Sequence, residues 1–217
     1  MQLPFTVEDF LDVFTNYNLA VFPAQVLLNI LAVVIIVLSI WKSKHSNTIT
    51  GVILSFLWLW TGGVYHLIFF SRINPVAKVF GVSFILQGLI FLYFLSIQNR
   101  FSFKFTRDFK GITGAIFIFY ALVVYPMLGL LFGHTYPANP TFGLPCPTTI
   151  YTFGLLLLSE ERLPVYFYII PFLWSLLGFS AALKLGILED TGLLIAGLAG
   201  TMILLFWNRK KTQLARL

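Results

Sequence analysis

The sequence predicts an all-α, polytopic membrane helix bundle with seven transmembrane helices. Three observations predict it: the composition, the lengths of the apolar runs, and the places of the charges between them. Of 217 residues, 59% are hydrophobic and 10% are charged, with a mean hydropathy of +0.90, whereas an ordinary soluble domain carries about 25% charged residues. A soluble core could not hide that much apolar surface, so the lipid bilayer is the expected solvent and first partner. Twenty-four Phe, nine Tyr and five Trp supply side chains suited to lipid contact and to the headgroup region.

A hydrocarbon core about 30 Å thick is crossed by about 20 helical residues. Before the first such run, Thr6 with Glu8 and Asp9 forms a helix start, and Phe10, Leu11, Val13 and Phe14 follow at helical spacing. Residues 1–20 therefore read as an interfacial amphipathic helix. These early acids stand where a leader would carry basic residues, so no cleaved leader is expected. Residues 21–207 form the seven-helix transmembrane domain, with runs at Val21 to Trp41, Ile49 to Phe70, Pro75 to Ile97, Ile112 to Phe132, Thr148 to Ser159, Pro164 to Leu185 and Thr191 to Trp207. Residues 208–217 form a basic cytoplasmic tail.

Orientation follows from the basic residues. With the N-terminus outside, the inner side receives Lys42, Lys44, Arg100, Lys104, Arg107, Lys110, Arg162, Arg209, Lys210, Lys211 and Arg216, and the outer side keeps Arg72, Lys78 and Lys184. Cytoplasmic loops carry the excess of Lys and Arg, so the N-terminus is expected outside and the C-terminus inside an inner membrane. The fifth run is short, reaching about 18 Å as a helix. Pro137, Pro140, Pro145 and Pro147 fall in the segment that leads to it. Irregular backbone at membrane depth must be covered by protein or line a cavity, so the loop around Gly143-Leu144-Pro145-Cys146-Pro147 is expected to dip into the bundle; bilayer thinning over an exposed loop is the alternative. Gly192, Ala196 and Gly200 with Gly178 and Ala182 suggest a tight hairpin of the last two spans, and Pro126 and Pro171 suggest kinks.

The net charge of +6 comes from residues that punctuate the apolar runs, so no nucleic-acid partner is expected. A single cysteine excludes an intrachain disulfide and any multi-cysteine metal motif. His66, His134 and Cys146 fall on the outer side, where two imidazoles and a thiolate could hold a zinc or copper ion with Glu8, Asp9 or water completing the shell. The plainer reading makes Tyr65-His66 an interfacial anchor and Cys146 a small buried hydrophobe. Gln87, Tyr65, Thr61 and Ser83 are the main polar residues of the second and third spans; they suit a shared cavity and interhelical hydrogen bonding about equally. The seventh span has no lysine, which excludes a retinal Schiff base at the position used by microbial rhodopsins. Glu160-Glu161-Arg162 resembles the paired glutamates of membrane prenyl-protein proteases, but their intramembrane histidines are missing, and the segment reads as a solvated turn. The layout resembles the alkaline ceramidases as well, but that family needs several zinc histidines and only two suitably placed ones exist here.

The stretches Tyr65-His66-Leu67-Ile68-Phe69-Phe70-Ser71-Arg72-Ile73-Asn74-Pro75 and Pro140-Thr141-Phe142-Gly143-Leu144-Pro145-Cys146-Pro147-Thr148-Thr149, with the opening Leu3-Pro4-Phe5-Thr6-Val7-Glu8, resemble a family of small bacterial inner-membrane proteins of unknown function. Some members carry a permease label. The resemblance implies location and fold, and no catalytic residue. Three functions stay open at this point. The first is an outward-facing pocket for a small solute or ion, lined by Tyr65, His66, Gln87, His134, Tyr136 and Cys146. The second is a membrane-embedded metal or thiol enzyme using His66, His134 and Cys146, and the third is a non-catalytic subunit docking a partner.

Overall fold

The computed structural model describes residues 4–214 and the side chains of residues 4–207; the charges at Arg209, Lys210, Lys211 and Arg216, and the opening Leu3, lie outside the described side chains. The described chain is all helical, with no named strand and only isolated bridges such as Phe103 to Ser159. Its α-helices are α1 (Val7–Val21), α2 (Ala24–Ile40), α3 (Ser46–Trp60), α4 (Ala77–Phe91), α5 (Phe109–Phe119), α6 (Tyr125–Leu131), α7 (Pro145–Leu156), α8 (Ile169–Leu185) and α9 (Thr191–Leu214). Three π-helical segments continue α3, α4 and α5: Thr61–Phe69, Leu92–Ile97 and Tyr120–Val124.

Four stretches are long and apolar enough to cross a membrane: Ser46–Arg72, Ala77–Ile97, Phe109–Leu131 and Leu188–Trp207. The pair α1 and α2, bent by 85°, makes a fifth when counted as one. At 17 and 12 residues, α8 and α7 are shorter. Exposed apolar side chains recur at helical spacing, as Val26, Ile30, Val33 and Val37 on α2, Val79, Val82, Leu86 and Leu89 on α4, and Ile195, Leu198, Met202 and Leu205 on α9. Such stripes are the reverse of a soluble helix, whose apolar face points to the core.

The connections gather at two ends. At one, Lys42 pairs with Glu160 at 3.1 Å, the Ser102 hydroxyl donates to Glu160 and Glu161 at 2.7 and 2.8 Å, and the Lys104 amide donates to the Leu158 carbonyl. The glutamates thus clasp two connections together at this basic end. At the other end, Asn18 is fully buried; its amide nitrogen donates to the carbonyls of Pro137 and Asn139 at 2.7 and 2.8 Å, and its oxygen accepts from the Thr141 hydroxyl at 2.8 Å.

The helix starts follow local chemistry. Thr6 caps α1 in a capping box, its hydroxyl accepting from the Asp9 amide while the Asp9 carboxylate accepts from the Thr6 amide. α7 begins with Pro145, whose missing N–H and fixed φ suit a first turn, three residues earlier than the run at Thr148 suggests. Gly143 before it has φ +101°, and a Cβ there would stand 2.3 Å from Leu28. That backbone lets the loop turn inward, where the Gly143 carbonyl accepts from Thr61 at 3.1 Å. α7 then runs through the middle of the protein: eleven of its twelve residues are buried, Trp58 donates to Thr152 at 2.9 Å, and Tyr151 donates to the Ala32 carbonyl at 2.8 Å.

Two packing expectations change. The last two helices do pack closely, Gly178 of α8 against Leu193 of α9 and Gly197 of α9 against Ser175 of α8, but the expected stripe on α9 faces other partners as well: Gly192 lies under the ring of Tyr120 and Gly200 takes Phe153 of α7. Pro171 is the third residue of α8, where the missing N–H costs no hydrogen bond and no kink is required. Pro126 follows a π segment that ends at Val124, a local widening of the kind that relieves a backbone interruption.

Candidate binding cavity

Between α1, the start of α4, the start of α7 and the C-terminal part of α8 lies a cavity of about 390 Å³. Phe5, Phe10, Phe14, Phe70, Phe80 and Trp174 give it aromatic walls. Exposed Val76, Ser180 and Lys184 stand on its open side, and buried Tyr65, Tyr125, Leu144 and Asp190 line its inner side. Cys146 also lines it and is the one residue of α7 that is not fully buried.

The polar groups at the inner wall come from a two-residue acidic step. Glu189 and Asp190, 0% and 5% exposed, end the 3-10 turn Leu188–Asp190 that leads into α9, where the N-terminal end of the helix dipole favours negative charge. Asp190 Oδ1 accepts a 2.6 Å hydrogen bond from Tyr125, and the carboxyl lies against the Cys146 thiol. Glu189 Oε1 is 3.0 Å from His134 Nδ1, its backbone carbonyl accepts from Tyr120 at 2.7 Å, and its Oε2 has no hydrogen-bond partner. The Trp174 indole faces the Cys146 sulfur.

Of the six residues expected to line a shared pocket, Tyr65 and Cys146 do so. His66 is fully buried one layer behind the wall, packed on Phe70, Phe80, Phe84 and Trp174 with ring centroids 4.7–6.1 Å apart and neither ring nitrogen hydrogen-bonded. His134 pairs with Glu189, Tyr136 is 51% exposed, and Gln87 reaches the Phe167 carbonyl at 3.4 Å. Thr61 donates to Leu57 and Gly143, and Ser83 bonds back to its own helix at Val79. Among the described residues, no three His, Cys, Asp or Glu side chains are grouped so as to hold a metal ion.

A comparison with protein-family models matches residues 7–216 to a family of unknown function (DUF6064). The chain belongs to this family. The match agrees with the resemblance carried by the stretches at Tyr65 to Pro75 and Pro140 to Thr149, and it brings no activity with it. Neither the curated proteins nor the solved structures include a match.

Proposed function

We propose that this member of the family of unknown function is a seven-span protein of a cell inner membrane that binds a small amphipathic solute in the cavity beside Asp190 and Cys146. The observation that carries the reading is the cavity itself: about 390 Å³ of aromatic-walled space with a buried carboxyl, a thiol and two tyrosines on its inner side. Ligand sites are typically concave, mostly apolar, and provided with a few convergent polar groups.

What supports seven crossings is the alternation of the connections. Each helical passage from α2 to α9, counting α5 with α6, leaves one end and arrives at the other, and α7 completes the series. The outward apolar stripes suit lipid-facing surfaces, and the enclosed α7 needs none. The bend of 85° between α1 and α2 suits an interfacial helix that leads into a crossing one. The lysines and arginines of the basic end favour its cytoplasmic placement, which turns the cavity outward. Since α7 is enclosed beyond Cys146, the reading is a one-sided binding pocket and not an open channel.

A thermal-shift screen of the purified protein against small amphipaths tests it, run beside protein whose only thiol, Cys146, has been blocked with N-benzylmaleimide. At least one compound should raise the Tm of the open protein and not that of the blocked one. A library that stabilises both forms alike, or neither, would count against the pocket.

A further inference from the structure

We infer that the solute class of this cavity is an amphipathic organic cation, a hydrophobic amine carrying one protonated nitrogen; the inference rests on the binding role proposed above. Three observations point the same way. First, the inner wall carries a carboxyl, Asp190, and a second, Glu189, precedes it by one residue. Neither forms an ion pair with a lysine or arginine among the described residues; His134 is the one basic side chain recorded against the pair and it meets Glu189, while Asp190 has only the neutral Tyr125 hydroxyl and Cys146 thiol beside it. A buried carboxylate is costly unless a positive charge or several hydrogen-bond donors meet it, and a ligand nitrogen would meet it here.

Second, the walls present aromatic rings from several directions. Phe70 stacks on Tyr65 at 5.7 Å, Phe80 meets Trp174 edge-on at 5.3 Å, and Phe5 and Phe10 each close on Phe70 at 5.7 Å. Ring faces attract cations, and a set of them around a desolvated space recognises alkylammonium groups. Third, the remaining wall is apolar, and the volume suits a molecule with a hydrocarbon or aryl tail. Lys184 at the open side would instead favour an anion, so an anionic homologue belongs in the test.

Equilibrium dialysis of the full chain in an uncharged detergent, with labelled 4-phenylbutylamine, 4-phenylbutanol and 4-phenylbutyrate, reads the class, and the rate of Cys146 alkylation by N-ethylmaleimide locates the site. The amine should bind saturably and about tenfold or more tightly than the alcohol, as expected for a charge-assisted hydrogen bond. It should also slow alkylation, and Asp190→Asn should bring amine and alcohol level. Equal binding of all three, or preference for the alcohol or the acid, overturns the cation while leaving the pocket. Saturable amine binding that leaves alkylation unchanged puts the site elsewhere and overturns the inference. No saturable binding of any probe overturns both the inference and the pocket. The comparison of probes on the unmodified chain needs no variant, so a poorly folding Asp190→Asn protein does not blunt it.

Discussion

The two ends of the bundle solve the problem of joining helices in opposite ways. At the basic end the polar groups are partly solvated: Lys42 and Glu160 pair with side chains 28% and 41% exposed, and Ser102 bridges both glutamates. At the cavity end, Asn18, Glu189 and Asp190 are buried, Asn18 makes its bonds to loop carbonyls, and Glu189 keeps one oxygen without a partner. Exposed pairs of the first kind contribute little and are easily replaced. Buried polar groups of the second kind are expensive unless satisfied, and where they surround a cavity they set that end apart from the end that only connects.

Substitutions should separate the ends. The largest effect is expected at Gly143, where alanine must adopt φ +101° and meet Leu28 at 2.3 Å. Gly143→Ala should cost about 3 kcal/mol or more, seen as loss of monodisperse protein in size-exclusion chromatography. Gly63→Ala, with open space around its Cβ, should leave the elution profile unchanged. Next comes Asn18→Ala, which abandons buried carbonyls and should cost about 2 kcal/mol in thermal unfolding. Lys42→Ala at the basic end should cost under about 1 kcal/mol; comparable losses would erase the contrast.

The smallest effect is one of pH. The Ser102 hydroxyl, with help from Lys42, holds the Glu160 carboxyl below its ordinary value of 4.5. A depressed carboxylate stabilises the fold above its unfolded pKa, and that contribution is lost as pH falls through the folded value. The unmodified chain should therefore lose slightly more Tm than Glu160→Gln as pH drops below about 4.5. Parallel curves would mean that the clasp contributes nothing measurable.

Much of the fold was legible because it follows from local chemistry. The helix start at Thr6, the short and proline-led α7, and the inward loop at Gly143 could all be anticipated from the residues themselves, as could the place of Tyr65 and Cys146 along the cavity. The acidic pair was not. Between two apolar runs, Glu189-Asp190 looks like a solvated connection, and its burial comes from Tyr120, Tyr125 and His134, more than 50 residues away in the chain. His66 was misplaced for a different reason. In the π segment Thr61–Phe69 the buried residues are Thr61, Gly62, Tyr65, His66 and Phe69, so Tyr65 and His66 are buried side by side and a phase of 3.6 residues per turn cannot say which of them faces the cavity. The stripe on α9 announced close packing and named α8 as the neighbour, but it could not show that Gly192 and Gly200 receive Tyr120 and Phe153 instead. In the loop before α7, Asn139 is 9% exposed and its carbonyl is held by Asn18. Tyr136, 51% exposed, is therefore the better labelling position at the cavity end.

The most direct test of the account is the side from which Cys146 can be reached. In right-side-out and inside-out membrane vesicles carrying the unmodified chain, its only thiol is exposed to an impermeant, positively charged methanethiosulfonate. Tyr136→Cys and Lys44→Cys, each in a Cys146→Ser background, mark the two surfaces. The account predicts that Cys146 reacts in right-side-out vesicles, more slowly than the cysteine at position 136, and is silent in inside-out vesicles, where the cysteine at position 44 reacts. Modification of Cys146 from the inside-out face, or none from either face while both markers react, would contradict an outward-opening cavity at Asp190.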